Sequence, residues 1–415
     1  MAHRPSTRLS LEDSSVNRKE PCWVDRFGDE VASLIVEASK RNDPKATSCS
    51  LASIPLEVIR NSIFPYLRHD RPIRDCIFVC GGVSVDYGPC KSSVFAYDDF
   101  SGRWRVYPRM NRSRAGAAAK AVDDYLYVIG GDGRGATMGS VEVYDPWIND
   151  WEMLEAVMKF PRHKHCLGLV DKRYLYAIGG ILGQIISEVE VFDTRTRQWI
   201  QEPGRDGIHL PRALYAGRVL EKDGLLYIIG GVTRNHPEQH SDLIYVLDTT
   251  VIPHSWSVLS VRLSVGRSAC AVAWLDESKS SIGIFGGYVV TTGRRKSTST
   301  SEVIRLRGTH TVPIEEAAIP GRVVPVPPTM AIPEMPSARA DCNAVTVGNC
   351  VVVVGGDKPA DNDADSVGIG LALTNDKALL FDSGRWDWVD DDAKTYMLSG
   401  RTRAAVCLGS AFPTS

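Results

Sequence analysis

The chain has no apolar run approaching the ~18 residues that a membrane-spanning helix needs. Its opening segment, MAHRPSTRLSLEDSSVNRKE, contains no apolar stretch able to form the core of a secretory leader. Charge of one sign is also missing. Lys and Arg total 48 against 50 Asp and Glu, a formal net charge of −2, so there is no global basic field to draw in nucleic acid or an anionic membrane. The ten cysteines include no CxxC pair, and Cys166, Cys270, Cys342 and Cys407 each fall a few residues after an arginine, at similar points of a recurring apolar segment. They read as small core hydrophobes in a reducing compartment, not as a disulfide framework or a zinc site. At 415 residues the chain is too long for one small core and suits two or three domains or one large repeat array. A cytoplasmic protein is expected, with the nucleus also open to it.

What is abundant is self-similarity. YLYVIGG at Tyr125–Gly131, YLYAIGG at Tyr174–Gly180 and LLYIIGG at Leu225–Gly231 nearly repeat one another. Six diglycines close apolar runs: Gly81-Gly82, Gly130-Gly131, Gly179-Gly180, Gly230-Gly231, Gly286-Gly287 and Gly355-Gly356. Most are followed by a segment alternating by two that ends in Tyr97-Asp98, Tyr144-Asp145, Phe192-Asp193, Leu247-Asp248 or Phe381-Asp382. A tryptophan comes next: Trp104, Trp151, Trp199, Trp256, and Trp386 or Trp388. An arginine precedes five of the diglycines: Arg114, Arg162, Arg212, Arg267 and Arg339.

Each part has a physical reason. The runs are short, β-branched and aromatic, which favours strands. Glycine pairs permit a backbone conformation or a close approach that a Cβ would block. Asp in the turn can accept from its own downstream backbone, and Trp can fill the wedge between neighbouring sheets. One such sheet cannot bury both its faces, so copies must stack around an axis.

These phased residues resemble the Kelch repeat family, and the resemblance covers about 73–411. It implies an all-β, six-bladed propeller closed by a C-terminal strand and preceded by a short helical segment. The ends complement each other: the first unit lacks its Arg-bearing strand, and GRTRAAVCLGS at the C-terminus can supply it. The expected organisation is a disordered tail over 1–20, a helical segment over 21–72, and the propeller over 73–411. Its blades are expected at about 401–410 plus 76–104, 112–151, 162–199, 212–256, 267–306 and 339–388. A Pro-rich insertion over 307–338 should interrupt regular strands, and the fifth unit lacks both the Asp and the Trp.

Gly, Tyr-Asp and Trp recur because a blade needs them, so function is sought where units differ, at one rim. Two residues after Arg112, Arg162 and Arg401 stand Arg114, Lys164 and Arg403; the same rule gives Leu214, Ala269 and Asp341 elsewhere. With the ring closed, Arg403, Arg114 and Lys164 would form a basic arc on three successive blades. Kelch adaptors that capture acidic peptides carry R-x-R-x-G in this strand. MNRSRAG matches that pattern, and GRTRAAV matches it without the glycine. Arg134 and Arg234, with Arg294, Arg295 and Lys296, could extend the same face.

CWVDRFGDEVASLIVEASKRNDP has helical spacing, and LASIPLEVIRNSIFPYLR resembles the opening of an F-box. That resemblance implies docking on Skp1 of a cullin ubiquitin ligase through Ile54, Pro55, Val58, Ile59, Ile63, Phe64 and Leu67. A short helix capping the ring is the other reading, since Pro65 falls inside the segment. The overall expectation is a non-enzymatic module that binds a partner protein or acidic peptide at one rim, with no cofactor, metal, nucleic acid or membrane, and serves as a ligase substrate receptor. The alternatives are a Kelch-propeller enzyme of oxidase or epimerase type and a cytoskeletal binder. The nine histidines do not phase with the repeat, and neither His163/His165 nor His236/His240 brings a third ligand.

Overall fold

A computed structural model of the chain describes residues 74–83, 90–98, 103–133, 135–146, 148–200, 208–325, 332–347, 350–358, 373–374, 379–382, 385–388 and 403–411. The docking residues Ile54 to Leu67 and the helical segment fall outside them.

Six sheets are built from successive units. The first orders Ala405–Ala411, Arg74–Cys80, Val94–Asp98 and Arg103–Tyr107. The second orders Ala118–Val122, Tyr125–Ile129, Ser140–Asp145 and Asp150–Val157. The third orders Cys166–Val170, Tyr174–Ile178, Val189–Asp193 and Gln198–Trp199; the fourth, Arg218–Lys222, Leu225–Ile229, Ile244–Asp248 and Ser255–Leu259. The fifth has three strands, Ala271–Trp274, Ser281–Phe285 and Ser301–Arg305, and the sixth runs Asn343–Val347, Cys350–Val354, Leu379–Asp382 and Arg385–Trp388. All pairings inside these sheets are antiparallel, as short turns between consecutive strands require.

The C-terminal strand Ala405–Ala411 pairs with Arg74–Cys80 from Arg74↔Ala411 to Cys80↔Ala405, so the last segment of the chain completes the first sheet. The innermost strands of the six sheets contact one another in cyclic order, the last returning to the first. Apolar side chains fill each gap. One cluster joins Phe78 and Cys407 of the first sheet to Val128 and Trp151 of the second; another joins Tyr97 and Val79 to Val345 and Val354 of the sixth. This closure hides inner edges that would otherwise be open to pairing with another chain.

The tryptophans stand opposite the aromatic of the Tyr-Asp step: Tyr97↔Trp104, Tyr144↔Trp151, Phe192↔Trp199 and Phe381↔Trp386, which makes Trp386 the residue in phase. Ring centroids lie 5.4 Å apart for Tyr144–Trp151 and 5.3 Å for Phe192–Trp199, within the range for favourable aromatic pairs. Asp193 accepts the Arg195 N–H at 3.0 Å across the turn, and Arg173 holds its carboxyl down to about 2.

The diglycines are the joints between sheets. The Gly131 N–H donates to the Arg162 carbonyl of the next unit at 2.9 Å, and Gly180 donates to Leu214 at 2.8 Å. A Cβ on Gly130 would lie 2.5 Å from that same Arg162 oxygen, and Gly130 and Gly131 have φ of 65° and 102°. Both the conformation and the space demand glycine.

Within the described part of the Pro-rich insertion the strands that form are short. Thr311–Pro313 pairs with Ser255–Leu259, adding a fifth strand to the fourth sheet, and Val324–Pro325 runs parallel to Val261–Arg262. The strand that would have completed the fifth sheet is spent on its neighbour.

Candidate functional site

In four units a buried arginine, Arg114, Arg162, Arg267 or Arg339, is a structural brace. Arg114 is fully buried; its Nε donates to Glu142 Oε1 at 2.9 Å and its Nη1 to the carbonyls of Gly130 and Ser140 at 2.6 and 3.0 Å. Arg162 bonds the carbonyls of Gly179 and Glu188 and pairs with Glu190; Arg267 pairs with Glu302 at 2.8 Å. These guanidiniums tie the diglycine strand end to the next strand and satisfy carbonyls that no ladder reaches.

This corrects the proposed arc. Arg114 aligns with Arg162, not with Lys164: the Arg114 carbonyl receives Gly82 N–H as the Arg162 carbonyl receives Gly131 N–H. A buried brace cannot line a rim, and the residue two positions on is Gly116. In the fourth unit the exposed Arg212 is out of phase; Leu214 holds the brace position and Ala216 lies two further.

The corrected register gives Arg403, Gly116, Lys164, Ala216, Ala269 and Asp341 around the axis. All six have left-handed φ, from 52° to 62°. The Gly116 N–H donates to Arg403 O at 2.8 Å, Lys164 to Gly116 O at 2.6 Å, Ala216 to Lys164 O at 2.8 Å and Ala269 to Ala216 O at 2.7 Å. A belt of backbone hydrogen bonds therefore passes from sheet to sheet, holding strained conformations in register at a cost of about 1–3 kcal/mol each for the non-glycine members. A central cavity of ≈ 650 Å³ is lined by the inner strands together with the belt residues Gly116, Lys164, Ala216, Asp341 and Arg403.

Side chains on the belt and on the residues just after each diglycine define a mouth. Arg403 Nε meets Asp341 Oδ2 at 3.4 Å; Arg403 is one-third exposed and Asp341 buried. Lys164 Nζ lies 5.7 Å from the Tyr215 ring centroid, and the Arg295 guanidinium 4.5 Å from that of Tyr288. The Tyr288 hydroxyl donates to Asp357 Oδ2. His240 is held by Glu238 at 2.8 Å and by the Tyr288 carbonyl at 2.9 Å, and Arg295 lies 3.8 Å from Glu238. Burial lowers the Lys164 pKa, opposed by Asp341 and reinforced by Arg403 and Arg295. Burial pushes Asp341 up, but Lys164, Arg403 and Arg218 outweigh it and keep the carboxylate below its ordinary range. Arg403 is raised: burial works against its charge, and Asp341 and Asp357 more than compensate. Nearby carboxylates thus favour the charged form of Arg403 and oppose the effect of burial on Lys164.

Of the expected site residues, Arg403 and Lys164 meet at this mouth, whereas Arg234 lies exposed on the Val232–Asn235 strand and Arg134 is outside the described residues. Sequence reasoning missed Tyr215, Tyr288 and Asp357 and passed over Asp341. Tyr215, next to the brace position, bridges to Val232; Ala340 bridges to Asp357 in the same way. The signal was present: the positions following the brace and following the diglycine vary among units while their flanks repeat.

This ring of antiparallel sheets, braced in four units by arginine and jointed by diglycine, is a β-propeller. The Kelch motif model matches residues 113–156 and 162–204. Kelch-like protein 26 of Danio rerio is 25% identical over 215 residues, 51% of this chain and 34% of that protein; Kelch-like protein 15 of Mus musculus is 27% identical over 238 residues, 52% and 37%. Alpha-scruin of Limulus polyphemus is 26% identical over 153 residues, 35% of this chain and 16% of its own length. The solved structure of YjhT superposes with a TM-score of 0.55 at 14% identity, covering 77% of this chain and 98% of that one, a likeness of fold. The chain therefore carries Kelch motifs and resembles the Kelch-like proteins. It spans about a third of the length of the Kelch-like proteins it matches.

Proposed function

We propose that the propeller is a non-enzymatic protein-interaction module that captures an acidic segment of a partner at the mouth formed by Arg403, Lys164, Tyr215, Tyr288 and Arg295. The observation that carries the reading is the pairing of two cations with two tyrosines around the axis. Tyr and Arg are the residue types that dominate interface energetics, because they bury large rigid area and bond directionally. The hydrogen bond to Asp341 uses Arg403 Nε, which leaves Nη1 and Nη2 for an incoming carboxylate. Similarity to Kelch-like proteins supports an interaction role.

A peptide array probed with the intact chain and with Arg403→Ala/Lys164→Ala tests the proposal. Acidic peptides should bind the parent and lose at least tenfold in the double variant, about 1.4 kcal/mol or more. Unchanged binding of every hit would defeat it. Recruitment of a cullin ligase through residues 51–68, with the propeller as substrate receptor, is the second arm of the proposal. Co-precipitation of Skp1 with the full chain, lost on deletion of 1–72, is the expected result.

A further inference from the structure

Beside the mouth, the fifth unit sends up a hairpin whose second strand is Arg294–Ser297, sequence RRKS. It is the outer strand of a three-stranded sheet ordered Arg267–Ser268, Tyr288–Thr291, Arg294–Ser297. Arg294, Arg295 and Lys296 are exposed and Ser297 is half-buried. Protein kinases that select arginine bind substrate as an extended strand and read guanidiniums three and two residues before the acceptor through carboxylate pairs. Arg294 and Arg295 stand at those places relative to Ser297, on a strand that is already extended.

We infer that Ser297 is a phosphorylation site for an arginine-directed Ser/Thr kinase, and that its phosphate inverts the charge of the mouth. The neighbouring hydroxyls are less suited. Thr298 Oγ1 lies 3.0 Å from Thr300 Oγ1 and receives the Thr300 N–H; Ser299 Oγ donates to Glu334 at 2.7 Å; Ser301 is buried. In the transfer, Ser297 Oγ attacks the γ-phosphorus of ATP. The Oγ–P bond forms as the bond to the ADP oxygen breaks, the hydroxyl proton passes to the kinase's carboxylate base, and ADP leaves.

The register fixes the consequence. Ser297 stands directly opposite Tyr288, and Arg295, two residues back on the same face, covers the Tyr288 ring. A group carrying about −1.5 to −2 charges there pairs with Arg295 and draws it from Glu238. It also places like charge against an arriving acidic segment, a step that rests on the proposed binding role.

The full chain is incubated with ATP and the catalytic subunit of cyclic-AMP-dependent kinase. Native protein should accept one phosphate, mapped by tandem mass spectrometry to Ser297, and Ser297→Ala should cut incorporation at least tenfold. Incorporation confined to other hydroxyls, or reaching Ser297 only after thermal unfolding, overturns the site. With excess kinase, phosphorus NMR titration should show the Ser297 phosphate ionising at lower pH than in a synthetic 290–301 peptide, and Arg295→Ala should abolish the difference. Identical titration in protein and peptide overturns the pairing with Arg295. An acidic peptide that binds the unphosphorylated chain should weaken about tenfold after phosphorylation. If no acidic peptide binds before phosphorylation, the binding proposal fails while the mapped Ser297 phosphate and its titration stand.

Discussion

The third and fourth sheets do the same job with opposite chemistry. In the third, Arg162 is buried beside Glu190, whose carboxylate also receives the Lys159 and Phe160 N–H groups at 2.7 and 3.2 Å. In the fourth, Leu214 replaces the arginine and Tyr245 stands where the glutamate would, at the same register opposite the residue two before the diglycine. The loop changes with them. Where the third unit has Lys159, the fourth has Pro211, which has no N–H to satisfy. The buried ion pair and one of its two backbone donors have Leu214, Tyr245 and a proline as their counterparts. The comparison teaches that removing one member of a buried ion pair is costly, whereas the fourth unit, with Leu214 and Tyr245 in its place, keeps the joint's hydrogen bond from Gly180 N–H to the Leu214 carbonyl at 2.8 Å.

The largest effect should come from breaking the third set halfway. Arg162→Leu leaves Glu190 buried without its cation and frees the carbonyls of Gly179 and Glu188. A loss of about 3–5 kcal/mol in denaturant unfolding is expected. Arg162→Leu/Glu190→Tyr, which copies the fourth sheet, should recover part of it. The remainder reflects the N–H groups of Lys159 and Phe160, and a double variant as unstable as the single one would break the comparison.

The converse experiment is Leu214→Arg in the fourth sheet, where Leu214 is fully buried. With Tyr245 opposite and no carboxylate, the introduced charge should destabilise the protein by several kcal/mol, read as a fall in the thermal midpoint. Next in size come the joints themselves. Gly130→Ala and Gly179→Ala each set a Cβ 2.5 Å from the carbonyl of Arg162 or Leu214 and impose left-handed φ on alanine. Losses of about 1–3 kcal/mol are expected from the conformation alone. The two should agree closely, because the joint uses the backbone and is blind to which side chain follows.

The sequence made the ring legible and the mouth only in part, for a physical reason visible in these same residues. Diglycine, Tyr-Asp and Trp are demanded by backbone geometry in every unit, so their phase survives in a single sequence. Arginine at the brace accompanies a glutamate in the second, third and fifth units but has Leu379 at that register in the sixth, and the fourth replaces it with Leu214 while Arg212 lies two positions earlier. In MNRSRAG two arginines compete for the position, and choosing Arg112 moved the alignment by two, which turned the brace Arg114 into an apparent ligand and hid Gly116. Arg403 and Lys164 stand at equivalent belt positions under either choice of arginine. Tyr215 and Tyr288 went unnoticed because tyrosine at those points breaks no periodicity.

The smallest effect at neutral pH, and the sharpest difference between these sheets, lies one residue past the belt. The third sheet has His165 there; the fourth has Gly217, and the fifth and sixth have Cys270 and Cys342. The side chain at this point lies under the second glycine of a diglycine: a Cβ on Gly180 would meet that of His165 at 3.0 Å, and one on Gly287 that of Cys270 at 2.8 Å. Neither imidazole nitrogen of His165 finds a hydrogen-bond partner among the described residues. Burial, with Arg162 and His163 nearby, depresses its pKa from 6.5 to about 3. The folded protein therefore holds His165 neutral where the unfolded chain binds a proton. Stability from this residue is complete above the unfolded value and is lost as pH falls from 6.5 toward 3, with a slope approaching one proton, or about 1.4 kcal/mol per pH unit. His165→Cys, which installs what the fifth and sixth units already carry, should change the neutral-pH midpoint little and flatten its decline over that window. Thermal melts from pH 7 to 4 check this against the parent. If parent and variant fall in parallel, His165 takes a proton in the folded state, and the tight wedge beneath Gly180 is not the reason the third unit differs from its neighbours.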